Sequence, residues 1–199
     1  MAEKNGLRGK KIGFALTGSH CTLNRVLTVY KELAKEKEAE VYPILSPSVL
    51  HTDTRFGSAE HWRKELETIC GNTVISSIRD AEPIGPERLL DAVIIAPASG
   101  NTIAKLVNGV VDTAVLMAAK AHLRNGGPLI IAVSTNDGLG ISAKNIGLLL
   151  NMKNVFFVPF GQDDPLKKPN SLVAKMEMIV ETTEKALIGQ QIQPILIEY

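Results

Sequence analysis

The sequence predicts an α/β protein: a doubly wound parallel sheet of about six strands between two layers of helices. Two observations lead there. Short apolar runs alternate with segments whose apolar residues recur at helical spacing, from residue 12 to residue 188. The runs at 93–96 and 129–133 are apolar throughout, the pattern of strands covered on both faces. A third observation sets the scale: 199 residues, 45% hydrophobic and 22% charged, suit one domain over 1–199 with a sizeable core.

The elements follow in order. Residues 1–10 form a polar N-terminal extension. Residues 12–16 read as the first strand, and 22–35 carry Leu23, Val26, Leu27, Tyr30, Leu33 and Ala34 at helical spacing. Residues 41–45 are the second strand. Residues 58–70 are a helix with Ser58 as N-cap. Val74 and Ile75 make a brief third strand. Pro83, Gly85 and Pro86 mark 81–90 as an irregular connection. The fourth strand spans 92–96 and stops at Pro97, which cannot donate to a ladder. Helices follow at 101–108 and 113–124, the second opened by Asp112 as a cap. Residues 128–133 are the fifth strand, 142–152 a helix, 155–158 the sixth strand and 171–188 the last helix. The polar stretch 161–171 is an ordered loop or a subunit contact.

Composition excludes several functions. The formal net charge is +1 with no basic stripe, so no nucleic acid partner is expected. No apolar run approaches the ~20 residues of a membrane span. Residues 1–11 lack the apolar core of a signal peptide, so a cytoplasmic protein is expected. Cys21 and Cys70 do not make a disulfide framework, and no histidine has metal-ligand spacing, so no metal is expected.

In the common doubly wound order, strands one and four are neighbours at the switch point, and ligands bind beyond their carboxyl ends. Two loops should therefore face each other: Thr17-Gly18-Ser19-His20 and Pro97-Ala98-Ser99-Gly100-Asn101-Thr102. Neither is G-x-G-x-x-G. Small hydroxyl and glycine loops at a helix start still hold an anion through backbone N–H groups. Each loop alone reads as a tight turn capping a helix; their convergence favours a cofactor cleft. Ser46 and Ser48, after strand two, either join it or cap a helix. Ser134 and Asn136, after strand five, offer a hydroxyl and an amide, or only shape a turn. His20 is the histidine placed for proton transfer, although a solvent-facing or capping role fits the sequence as well. Cys21 near a helix start is either activated or, more commonly, a buried thiol. Arg55, Lys167 and Lys168 are candidates for substrate carboxylates, or are simply exposed.

The string Pro97-Ala98-Ser99-Gly100-Asn101-Thr102, with Ala104-Lys105 and Asp112, resembles the P-x-S-A-N-T motif of the flavoprotein family of phosphopantothenoylcysteine decarboxylase, the lantibiotic cysteine decarboxylases and the flavin prenyltransferases. Thr17-Gly18-Ser19 resembles its flavin-phosphate loop, and Asn136 matches the asparagine of its P-A-M-N loop. The resemblance implies a Rossmann-like fold, FMN as cofactor and a trimer-based homo-oligomer. Longer strings resemble one branch of the family: residues 17–22, 54–57, 81–86, 132–137, 158–165 and 167–171. That branch implies a B subunit that acts with a separate A subunit in a sporulating bacterium. The pair would oxidise a dihydropyridine dicarboxylate to the aromatic dicarboxylate, with NAD(P) entering through the A subunit. A second reading is a non-catalytic partner that stabilises the A subunit and keeps a vestigial flavin pocket. The chain also departs from the family. Pro83 stands where the decarboxylases carry a catalytic histidine, no cysteine follows Cys70, and Gly100 replaces the usual alanine. These departures argue against decarboxylation of a cysteinyl substrate.

Overall fold

A computed structural model describes residues 6–199; residues 1–5 of the expected extension lie outside the described residues. The strands β1 (Lys11–Leu16), β2 (Glu40–Leu45), β3 (Ala92–Ala98), β4 (Leu129–Thr135) and β5 (Val155–Phe157) run parallel in the order β2-β1-β3-β4-β5. The chain steps one way from β1 to β2 and the other way from β3 to β4. With right-handed crossovers, the intervening helices α1 (Leu23–Lys31) and α6 (Ala114–Arg124) therefore cover opposite faces. β3 is buried along its whole length, as a strand covered on both faces must be. The expected switch point is real: β1 and β3 are hydrogen-bonded neighbours, with Ile12 opposite Ala92 and Ala15 opposite Ile95.

The sheet is mixed rather than wholly parallel as expected. β4 is long enough to serve two partners. Its first half pairs with β5, and its last residues, Ser134 and Thr135, pair antiparallel with β7 (Leu172–Ala174). β7 in turn pairs with β6 (Phe160–Gly161), giving seven strands. The expected helix over 171–188 is thus a strand, a 3-10 turn at Met176–Met178 and helix α8 (Ile179–Leu187). Leu172 to Ala174 take strand form because a distant partner, β4, supplies the ladder. Conversely, the expected third strand is only a bridge from Ile75 to Ile44, because the chain turns away into the capping box of Ser77 and Asp80 that opens the short helix α4 (Ile78–Ala81).

Smaller corrections concern element ends. β3 continues through Pro97 to Ala98, and the missing N–H of Pro97 coincides with a register shift against β4 between Ile95 and Ala98. Thr113, not Asp112, caps α6 by accepting the Leu116 N–H; Asp112 pairs with Lys105 instead. Ser58 caps α3 (Ala59–Cys70) as expected. Residues 47–51, unassigned from sequence, form a short helix, α2 (Pro47–His51), and 143–150 form α7 (Ala143–Leu150). The N-terminal segment is not wholly peripheral, since Leu7 is buried in the core.

Candidate functional site

The two small-residue loops meet at the carboxyl ends of β1 and β3, and one hydroxyl joins them. Thr17 Oγ1 donates to the Pro97 carbonyl at 2.6 Å and accepts the Ser99 N–H at 2.9 Å. Ser99 is the N-cap of α5 (Gly100–Val107), with its Oγ 3.0 Å from Thr102 Oγ1 and accepting the Thr102 N–H at 3.4 Å. The N–H groups of Gly100 and Asn101 lie in the first helical turn, where a helix has no partner of its own to offer. Across from them the first loop approaches the second closely: a Cβ on Gly18 would lie 2.7 Å from Ser48 Oγ. A side chain there would turn the Ser48 hydroxyl away and crowd its Cβ at 3.3 Å, so glycine keeps the approach open. Ser46, 8% exposed, leaves its Oγ buried without a partner among the described residues. Gly18, Ser46, Ser48, Ser99, Asn101 and Thr102 line a crevice of about 340 Å³. Its one lining ammonium, Lys105, is held by Asp112.

Gly18 also lines a larger cavity of about 800 Å³ on the outer side. Ser19 ties its floor by donating to the Ser134 carbonyl at 2.6 Å. The walls carry His20, Asn136 and three cations, Arg25, Arg55 and Lys168. Each cation is held differently. Arg25 forms an ion pair with Glu177 at 3.1 Å and donates to Tyr199 Oη. Lys168 pairs with Asp163 at 3.1 Å. Arg55 lies 4.9 Å over the Phe56 ring and has no ion pair among the described residues. Burial pushes the Asp163 carboxyl up, but the Ser171 hydroxyl and the Lys168 ammonium outweigh it and hold the group below its ordinary value. His20 places Nε2 3.3 Å from Ser48 Oγ and leaves Nδ1 without a partner.

Most of the residues singled out from sequence converge here, in three manners. Gly18, Ser19, His20, Ser46, Ser48, Ser99, Asn101, Thr102, Ser134 and Asn136 line the crevice or the cavity, with Arg55 and Lys168. Thr17, Pro97 and Ala98 are buried behind them and shape the loops. Gly100 faces a third hollow with Asn101 and Thr135. A Cβ there would lie 2.8 Å from Thr135 Oγ1 and 3.1 Å from Ser142 Oγ, so two hydroxyls occupy the space of the family's alanine methyl. Lys167 does not line the cavity; its backbone N–H turns to the Asp164 carboxylate. Cys21 is exposed on the cavity wall rather than buried. Pro83 sits in a 3-10 turn packed on α6, outside both linings.

Arg25, Asp163 and Tyr199 were missed. Arg25 had a usable signal, since it lies one helical turn beyond Cys21 and Thr22 and so returns to the same side. Tyr199 had none: 174 residues separate it from Arg25, and a bridge between Leu196 and Phe160 carries it there.

The family model described as Flavoprotein matches residues 1–187. The B subunit of dipicolinate synthase from Bacillus subtilis (strain 168) is 52% identical over 194 residues, covering 98% of this chain and 96% of that one. The crystal structure of the corresponding B subunit from Bacillus halodurans superposes with a TM-score of 0.88 at 48% identity, covering 96% of this chain and 98% of the other. The FMN-dependent cysteine decarboxylase SpaF shares the fold, with a TM-score of 0.65 at 14% identity over 92% of this chain and 97% of its own. The chain belongs to the flavoprotein family and, within it, to the group of dipicolinate synthase B subunits.

Proposed function

We infer that the protein is the flavin-holding subunit of a two-subunit dipicolinate synthase, which oxidises dihydrodipicolinate to dipicolinate together with a separate A subunit. One observation carries this reading: a hydroxyl-lined crevice and a cationic cavity open from the same glycine at the switch point. The residues present fit FMN. A phosphate matches the first-turn N–H groups of α5, the hydroxyls of Ser48, Ser99 and Thr102, and the unpartnered Ser46 Oγ. Gly18 keeps the backbone close enough to cradle it. A bound flavin supplies a two-electron acceptor.

The chain's own residues perform the rest. Arg55, free of any ion pair among the described residues, receives one substrate carboxylate in a bidentate pair. Lys168 and the Asn136 amide receive the other. Loss of two hydrogens from the dihydropyridine ring would need an acceptor for a hydride, which the flavin would supply, and a base for a proton. His20 takes the proton through Nε2, because its ring lines the cavity and its buried Nδ1 faces away from it. Aromatisation of the ring helps drive the step. The nicotinamide enters with the A subunit, and the chain assembles as a trimer-based homo-oligomer in the cytoplasm.

Purified protein titrated with FMN tests the reading. It supports the reading if the protein is yellow as isolated, or quenches flavin fluorescence at a one-to-one ratio. A colourless protein that leaves added FMN free contradicts it, and favours a partner that only stabilises the A subunit.

A further inference from the structure

Lys167 and Lys168 are adjacent, yet only Lys168 reaches the cavity, and it does so from a built scaffold. The loop between Gly161 and Ser171 is tied from within. Lys168 N–H donates to the Asp164 carbonyl at 2.8 Å, Ser171 N–H to the Lys168 carbonyl at 3.0 Å, and the Gln162 amide to the Pro169 carbonyl at 2.8 Å. Leu139 N–H ties it from outside, donating to the Asn170 carbonyl at 2.9 Å. On this base Asp163 accepts from two sides. The fully buried Ser171 donates its hydroxyl to Oδ1 at 2.6 Å, and the Lys168 ammonium donates to Oδ2 at 3.1 Å. Both carboxylate oxygens are engaged. A free carboxylate in the wall of a cavity for anions would repel them; held this way, it fixes an ammonium instead. An ammonium has three donors. One is on Asp163, and the others remain for a ligand.

We propose that Asp163, backed by Ser171, is a positioning residue that aims the Lys168 ammonium at the second carboxylate of a pyridine dicarboxylate whose first carboxylate lies on Arg55. The proposal rests on the dicarboxylate reading above. The division of labour follows from the charges. Arg55 supplies the net positive field, while the Asp163–Lys168 pair is neutral and supplies direction. Discrimination between two carboxylates and one therefore belongs to Asp163 and Lys168, not to Arg55.

Calorimetric titration of the full chain with pyridine-2,6-dicarboxylate and with pyridine-2-carboxylate separates these roles. The wild type binds the dicarboxylate tighter by about tenfold or more, the worth of a hydrogen bond to a charged group. Asp163→Asn brings that ratio close to one and leaves the monocarboxylate within about twofold of wild type, a change of under ~0.5 kcal/mol. Lys168→Met, which also frees the Asp163 carboxylate, weakens both ligands but the dicarboxylate more, so the ratio again falls. Lys168→Arg keeps most of the ratio. The monocarboxylate is the internal control, because a merely structural loss weakens both ligands together. Equal weakening of both, or an unchanged ratio in Asp163→Asn, overturns the positioning role alone. A wild type that binds neither ligand overturns the dicarboxylate reading and the proposal with it.

Discussion

The inner crevice and the outer cavity share Gly18 but are held together by different forces. The crevice is made of hydroxyls and backbone groups that also join β1 to β3; Thr17 alone satisfies a carbonyl and an N–H of the opposite loop. The cavity is made of side-chain charges held by other charges at the surface: Arg25 by Glu177, and Lys168 by Asp163. The buried ties of the first arrangement cannot be changed without disturbing the fold. The second can, because exposed ion pairs are worth little to stability. Under the function proposed above, cofactor retention would fall to the rigid part and substrate choice to the adjustable part.

The crevice should give the greatest response to substitution. Thr17→Val keeps the shape but strands the Pro97 carbonyl and the Ser99 N–H, and it should cost about 2 kcal/mol or more. Urea unfolding should show the loss, and FMN titration should show weakened binding in the same variant. Asn101→Asp comes next and sharpens the contrast. It sets a carboxylate at an exposed position facing the proposed phosphate site, so FMN affinity should fall by about tenfold or more while the unfolding midpoint stays put. A midpoint that drops with it would mean that crevice and fold are not separable at that residue.

The cavity should answer to acid before the crevice does. Asp163 has a folded-state pKa below its ordinary value, so its contribution is fully present above that ordinary value. It is lost as the pH falls through the lower, folded value, below about pH 4. Affinity for the dicarboxylate should fall there, and in Asp163→Asn that part of the pH profile should vanish. The smallest change belongs to Arg25→Gln. The pair with Glu177 is half exposed, so global stability should change by under about 1 kcal/mol in thermal unfolding.

The same contrast explains what was legible in the sequence. The crevice comes from contiguous strings at strand ends, Thr17-Gly18-Ser19 and Ser99-Gly100-Asn101-Thr102, and strand order alone brings them together. Buried apolar runs gave the parallel strands for the same local reason. The cavity is assembled from pieces far apart: α1, the 54–56 turn, the 161–171 loop and Tyr199. No local pattern records such contacts. β6 and β7 escaped notice likewise, since a strand of two or three residues exists only through its partner. Asp112 and Thr113 were confused because both are good caps, and only the pairing of Asp112 with Lys105 separates them.

The most direct measurement is a reconstitution. Dihydrodipicolinate oxidation would be followed with the A subunit alone, this chain alone, and both together, each with and without FMN and NADP. Full activity is expected only when both chains and FMN are present, with Asn101→Asp reducing it to the level of the A subunit alone. Equal activity of the complex with and without FMN, undiminished by Asn101→Asp, would contradict the assignment of the flavin to this chain.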